Sequence, residues 1–186
     1  ASLGRSMRDM GILVIFLGLF VALSISADSF FTSTNLLNIL DQWAPVGIIA
    51  CAMTVVIIGG GFDLSVGAIA AVAAVIAARV ANSQGVEIGI IAALLSGAGL
   101  GLINGLIVTT GRVNSFIGTL ATSIAFRGVA VATTGGALII VSDSSFTKLG
   151  QDEGLGVKWT IWIFALFALR LAFLLTRTTP CLLYPS

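Results

Sequence analysis

Six long apolar runs constrain this chain more than any other feature of its sequence. A membrane-spanning helix needs about 20 mostly apolar residues, because only intrahelical hydrogen bonds can satisfy the backbone in hydrocarbon. The runs therefore predict an all-α protein, a polytopic transmembrane helical bundle of about six spans. The predicted spans lie near residues 11–27, 44–60, 64–81, 88–109, 115–134 and 159–176.

The charge content supports a lipid environment. The sequence is 58% hydrophobic and 9% charged, whereas soluble domains average about 25% charged residues. So few charges could not cover a water-facing surface, and we expect the lipid bilayer to be the main solvent. With a net charge of +1 and no basic run, the sequence gives no indication of a nucleic-acid partner.

The first run has a second interpretation, as a secretory signal. Arg5 and Arg8 would then form its basic start, and Ser26-Ala27 resembles a small-residue cleavage site. The run is longer than the roughly 7–15 residues usual for such a signal, and five more spans follow. A retained helix is the favoured interpretation.

The distribution of cations predicts the orientation in the membrane. With a cytoplasmic N-terminus, the short basic segments that carry Arg5, Arg8, Arg112 and Arg177 all fall on the cytoplasmic side. Cytoplasmic loops of membrane proteins carry an excess of Lys and Arg. We therefore expect the N-terminus to lie inside.

The segment from Gly59 to Gly67 is the most informative motif. Its three consecutive glycines favour a turn, and Asp63 stands where an N-cap of the third span would stand, with Ser65 two residues on. An Asp in the membrane core costs about 2.5–3.5 kcal/mol, so it should lie at an interface, a cavity or a contact. Two interpretations stay open, a capped turn and a hinge at the cytoplasmic mouth of a translocation pathway. The candidate pathway or hinge residues here are Gly60, Gly61, Asp63, Ser65 and Gly67.

The fourth span carries a stripe of small residues. Gly97, Gly101 and Gly105 recur every four residues, a spacing that lets another helix approach closely. Asn104 lies within this stripe and could form a hydrogen bond between helices. Helix packing is the favoured interpretation for the glycines, and Asn104 is kept as a candidate pathway residue.

Arg127 lies inside the fifth span, where a cation needs an acceptor or water. Three interpretations are equally open: it extends to the interface, pairs with a carboxylate, or lines an aqueous path. In the last case, the hydroxyl groups of Thr119, Thr122 and Ser123 would suit a polyhydroxylated solute.

Motifs of catalysis are missing from the sequence. It contains no histidine, and we find no phosphate-binding loop, dinucleotide fingerprint or serine-nucleophile elbow. Asp63 has no second carboxylate nearby in sequence to form an acid–base pair. We expect a protein that is not an enzyme and has no catalytic residue, cofactor or metal site.

Four segments, in the same order, resemble the permeases of bacterial ribose, xylose, galactose and autoinducer-2 importers. Residues 60–67 resemble that family's GGIDLSVG signature, and residues 101–105 resemble its GLINGLL segment. Residues 113–122 resemble its VNPFIATLGT segment, and Arg127-Gly128 and Thr134-Gly135-Gly136 then follow. Phe62 stands where the family usually has Ile, and Ser115 where Pro is common.

The resemblance implies a longer protein than this chain. Such permeases have about ten helices, so residues 1–177 would form the N-terminal half of the transmembrane domain. After Arg177 the family continues with a cytoplasmic segment that engages an ATPase subunit. Residues 178–186 do not resemble that segment, and we interpret them as an atypical tail produced by truncation or a frameshift.

The resemblance also implies a function and partners. The chain would be the permease subunit of an ATP-driven carbohydrate importer in the bacterial inner membrane. Its partners would be an ATP-binding subunit, a periplasmic sugar-binding protein and a second permease copy. The alternatives are an ion-coupled secondary transporter or channel that uses Asp63 and Arg127, a non-functional remnant, and an importer of branched-chain amino acids. The Asp-Leu-Ser-Val-Gly run favours the sugar group over the last of these.

Overall fold

A computed structural model describes residues 11–182, and these form helices joined by short segments. The predicted cytoplasmic cations Arg5 and Arg8, and residues 183–186 of the predicted tail, lie outside the described residues. The helices are α1 Gly11–Ser26, α2 Ser33–Ile58, α3 Val66–Gln84, α4 Val86–Thr109, α5 Ser115–Thr134, α6 Ser144–Gln151 and α7 Trp159–Leu182. Strands β1 Glu153–Gly154 and β2 Val157–Lys158 form a small antiparallel hairpin. The prediction of an all-α membrane protein is confirmed.

Five of the described helices are long and apolar enough to cross a membrane. They are α2, α3, α4, α5 and the Trp159–Arg177 part of α7. The first predicted span corresponds to α1, an apolar helix with 16 described residues.

Helix α2 begins earlier than the sequence predicted. The polar stretch before residue 44 was expected to be a break between helices, yet α2 begins at Ser33. The Thr32 hydroxyl accepts a hydrogen bond from the Asn35 backbone N–H at 3.2 Å, which satisfies one of the free donors at the helix start. Because this cap offsets the cost of a polar first turn, the helix extends across the predicted break.

The chain divides into two compact units, and the first ends at Ala44. In this unit the turn between α1 and α2 is held by aromatic contacts. The ring centroid of Phe20 lies 5.4 Å from that of Phe30 and 5.8 Å from that of Phe31, both edge to face. The Asn35 side chain also donates a hydrogen bond to the Phe30 carbonyl at 2.8 Å.

The second unit, from Pro45 onward, is centred on α3, α4 and α5, which pack against one another. Among its described residues the buried apolar ones are all Ala or Val, and large apolar side chains such as Leu94 and Leu95 are exposed. This inverts the arrangement of a soluble core and suits a protein whose surroundings are lipid. In a bilayer, helices associate by close packing of small residues rather than by the hydrophobic effect.

The connection between α5 and α7, residues 135–158, lies between the fifth and sixth predicted spans. It contains α6 and the hairpin. Asp143 is the N-cap of α6, and its carboxylate accepts a hydrogen bond from the Ser145 backbone N–H at 2.8 Å. The backbone hydrogen bond to Ser145 lowers the pKa of the exposed Asp143 carboxyl below its ordinary value of 3.8, and Lys148 acts in the same direction.

The Asp143 cap is expected to depend on pH. Because the pKa is lower in the folded state, the cap contributes its full stability above the ordinary Asp pKa and loses it as the pH falls through the folded value. Hydrogen exchange measured by mass spectrometry, corrected for intrinsic rates, should show weaker protection of α6 below about pH 3.8. Asp143→Asn is the control, and an equal response in both proteins would contradict the assignment.

Candidate functional site

The Gly-rich motif forms a non-helical connection between α2 and α3. Gly60 has a φ of +76°, a left-handed conformation that glycine adopts without steric cost. At Gly61, an added Cβ would lie 3.3 Å from Cγ1 of Val56, so the chain is tightly turned there. These two glycines place residues 61–65 beside the end of α2.

The N-cap of α3 is Ser65, not Asp63. The helix begins at Val66, two residues later than expected, and the Ser65 side chain makes no capping hydrogen bond. Asp63 instead accepts two hydrogen bonds at Oδ1, from the Ser65 backbone N–H at 2.8 Å and from the Ser65 hydroxyl at 2.6 Å. Such a local turn fixes the carboxylate beside the helix start.

Two hydroxyl groups of α5 form hydrogen bonds with the backbone of the connection between α2 and α3. The Ser115 hydroxyl accepts a hydrogen bond from the Phe62 N–H at 3.1 Å, and the Thr119 hydroxyl accepts one from the Leu64 N–H at 3.0 Å. Thr119 in turn donates to the Ser115 carbonyl of its own helix at 2.7 Å. Backbone donors that have no partner within α3 are thus satisfied by side chains of another helix.

Asn104 of α4 completes a polar chain. Its Nδ2 donates to the Ser65 hydroxyl oxygen at 2.5 Å, so the order is Asn104 to Ser65 to Asp63. Ser65 is fully buried and Asn104 is only 4% exposed. Within the described chain the buried Oδ1 of Asn104 has no hydrogen-bond partner, a situation that costs about 1–3 kcal/mol.

A cleft of about 220 Å³ adjoins this polar chain. It is walled by α4, α5 and the connection before α3, and its polar side chains come from Asp63, Asn104, Thr109, Ser115 and Thr119. Pockets for drug-sized ligands usually measure about 300–1,000 Å³, so this cleft suits a smaller solute. Asn104 and Thr119 are buried. The carboxylate of Asp63 and the hydroxyl groups of Thr109 and Ser115 are therefore the ones that can exchange hydrogen bonds with a polyhydroxylated molecule.

The structure brings together five of the predicted pathway residues and leaves the others apart. Gly61, Asp63, Ser65, Asn104 and Thr119 belong to the cleft or its polar chain. Gly60 forms the preceding turn.

The remaining predicted pathway residues lie elsewhere. Gly67 is exposed, with no heavy atom within 4 Å of an added Cβ. The Thr122 hydroxyl donates only to the Thr119 carbonyl of its own helix. Arg127 is exposed and lies eight residues, about 12 Å, along α5 from Thr119.

The predicted glycine stripe has two different surroundings. Gly97 approaches Ile69 of α3, whose Cγ2 would lie 3.9 Å from an added Cβ, whereas Gly101 and Gly105 have open space around them and line the cleft. The close approach of α3 and α4 is at Gly89, where an added Cβ would lie 2.8 Å from the Ala77 carbonyl oxygen.

Sequence reasoning missed three features. Ser115 was noted only because it differs from the family pattern, yet its hydroxyl accepts a hydrogen bond from the Phe62 N–H. Asn82 was not noticed, although its side chain donates a hydrogen bond to the Ile140 carbonyl and accepts one from the Ser142 N–H. Arg170 lies in the middle of α7 beside an apolar cleft of about 500 Å³. Its position as a cation inside the sixth apolar run could have identified it from the sequence.

Known proteins identify the family. The family described as the permease component of branched-chain amino acid transport systems matches residues 35–181. The chain belongs to this permease family. An L-arabinose ABC transporter permease protein of Azospirillum brasilense is 35% identical over 169 residues, covering 90% of this chain and 50% of the relative.

Two ribose import permease proteins show the same relationship. That of Escherichia coli K12 is 35% identical over 174 residues, covering 89% of this chain and 53% of the relative. That of Bacillus subtilis is 39% identical over 148 residues, covering 76% and 46%. The permease chain thus spans about half the length of the curated relatives it matches, and no solved structure matches it.

These relatives confirm the predicted resemblance to sugar-import permeases. With its long apolar helices, the chain is a multi-pass protein of the bacterial inner membrane. The relatives are transport permeases rather than enzymes. In the described part of the permease, no group of three or more His, Cys, Asp or Glu residues could hold a metal ion.

Proposed function

We propose that this chain contributes to the translocation pathway of an ATP-driven carbohydrate importer. The observation that carries the proposal is the cleft beside Asp63, Ser65 and Asn104, in a chain whose curated relatives are named for ribose and L-arabinose. The substrate would be a monosaccharide. Its hydroxyl groups would replace hydrogen bonds to water with bonds to the polar groups of the cleft.

The partners follow from the same relationship. An ATP-binding subunit on the cytoplasmic face would supply the energy, and a periplasmic binding protein would deliver the sugar. A second permease copy would complete the pathway. Residues 60–65 and Thr119 would form the part of the pathway nearest the cytoplasm, with Asp63 at the hinge between α2 and α3, if the N-terminus lies inside as predicted.

Uptake into proteoliposomes tests the proposal. Vesicles that contain this chain, its ATP-binding subunit and its binding protein should accumulate radiolabelled ribose or arabinose when ATP is present on the side of the ATP-binding subunit. We expect uptake to continue when ionophores collapse all ion gradients. Uptake that needs a gradient and not ATP would indicate an ion-coupled transporter, and absence of uptake of either sugar would indicate a remnant.

A matched pair of variants tests the cleft itself. Asp63→Asn keeps the size of the side chain but weakens its hydrogen bonds from Ser65, because a carboxylate is the stronger acceptor. Uptake should fall severalfold. Glu87→Gln, at an exposed acidic residue in the first turn of α4, makes the same chemical change away from the cleft and should leave uptake unchanged. Equal uptake by the two variants would remove Asp63 from the pathway.

A further inference from the structure

The hairpin between α6 and α7 holds a leucine away from the rest of the protein. Leu155, at its tip, is 94% exposed. Its φ of +59° is in the left-handed region, which non-glycine residues seldom adopt. Gly156 follows with a φ of +75°. The tight turn therefore presents one large apolar side chain outward.

Contacts with α7 fix the position of this tip. The indole N–H of Trp162 donates a hydrogen bond to the Gly154 carbonyl at 3.1 Å. A Cβ added to Gly154 would lie 3.1 Å from the ring of Trp159, so the backbone beside the tip packs on that ring. Both tryptophans belong to the first turn of α7. The tip of the hairpin therefore lies at the level of that turn.

The first turn of α7 is also where the chain enters the membrane. The apolar span of α7 begins at Trp159, and tryptophan is enriched at the boundary between hydrocarbon and water. Trp159 and Trp162 stay 52% and 43% exposed after their contacts with the hairpin. The exposed apolar side chain of Leu155 therefore lies one residue from the backbone that contacts both tryptophans.

The charges of the hairpin lie at its other end. Glu153 is opposite Lys158 in the strand register, and only the Gly154–Val157 pair separates them from the tip. The hairpin is therefore charged at its base and apolar at its tip. Such a distribution matches a bilayer interface, where apolar side chains insert below the headgroups and charged groups remain in water.

We propose that the 153–158 hairpin is a membrane-surface anchor. Leu155 inserts into the interfacial region of the bilayer beside Trp159 and Trp162, and so fixes the depth at which α7 begins. Because the proposal rests on the hairpin and not on the cleft, it is independent of the proposed transport function.

Fluorescence quenching in vesicles tests this anchor. In a Cys51→Ala, Cys181→Ala background, an environment-sensitive fluorophore is attached to Leu155→Cys, and to Gln151→Cys as the matched exposed control in α6. Both proteins are reconstituted into phosphatidylcholine vesicles. Spin-labelled lipids with the quencher near the headgroup should quench the label at 155 severalfold more than the label at 151. Aqueous iodide should show the reverse order.

Other outcomes would overturn the proposal. Equal and strong quenching by iodide at both positions would show that the tip stays in water. A label at 155 shielded from both quenchers would show a protein contact, such as a second copy, in place of lipid. A label-free measurement guards against disturbance by the fluorophore: in a Trp43→Phe background, Leu155→Ser should weaken the quenching of Trp159 and Trp162 by brominated lipids, and unchanged quenching would also contradict the anchor.

Discussion

Replacing Gly89 with alanine is expected to lower the free energy of unfolding by about 1–3 kcal/mol, the usual cost of overpacking. The added Cβ would lie 2.8 Å from the carbonyl oxygen of Ala77 and 3.0 Å from the backbone nitrogen of Ala81. Both are backbone atoms of α3, so they cannot move aside as the end of a flexible side chain could. The helices would have to separate, with loss of contacts along their interface.

The control for this variant is Gly101→Ala on the same helix. No heavy atom lies within 4 Å of an added Cβ there, so alanine should stabilise α4 by about 0.5–1 kcal/mol through its lower conformational entropy in the unfolded chain. Titration with a denaturing detergent, followed by circular dichroism, would give both values. Equal effects of the two substitutions would show that Gly89 is not the point of close approach.

Thr119→Val is expected to destabilise the protein by about 1–3 kcal/mol, the cost of a polar group left without a partner. Valine fills nearly the same volume, so the change isolates the hydroxyl group, which is buried and accepts the Leu64 N–H at 3.0 Å. Without it, the connection before α3 keeps only the hydrogen bond from the Phe62 N–H to the Ser115 hydroxyl, because Thr119 also donates to the Phe62 carbonyl at 3.3 Å. Hydrogen exchange at Leu64 should accelerate, and uptake by an active importer should fall.

Thr122→Val is the matched control, one turn further along α5. Its hydroxyl donates only to a carbonyl of its own helix, so its loss should change stability by no more than about 0.5 kcal/mol. Exchange at Leu64 should stay as in the unaltered protein. If both variants behaved alike, the effect would belong to α5 in general and not to its contact with the connection.

The membrane spans were predictable because their physical cause is local. Hydrocarbon requires a continuous apolar helix, so apolar runs in the sequence give the positions of α3, α4 and α5 within a few residues. The Gly-rich motif was also predictable as a turn, since Gly60 has a positive φ. The start of α2 was not, because a hydrogen bond from the Asn35 N–H to Thr32 offsets the unfavourable polar first turn.

The candidate site was predictable in its members but not in its arrangement. Asp63, Ser65, Asn104 and Thr119 were all identified from the sequence, and they meet in the structure. Ser65 links Asp63 to Asn104 only because α3 and α4 cross at this point. The spacing of residues along a single helix does not predict where two helices cross.

The glycine stripe shows the same limit of sequence reasoning. Spacing of four residues identifies a face of α4 but not which part of that face touches a neighbour. The contact is at Gly89, while Gly101 and Gly105 face the cleft. Glycine suits both a close contact between helices and the wall of an open cleft, so the sequence pattern is the same in the two cases.

The hydrogen bonds between α5 and residues 62–64 have a mechanical consequence. The first residues before α3 are tied to α5 by Ser115 and Thr119, and α3 is packed against α4 at Gly89. A displacement of any one of these three helices must therefore pull the other two with it, unless those hydrogen bonds break. We expect α3, α4 and α5 to behave as one rigid block, with the flexible joint at the glycine turn that precedes them.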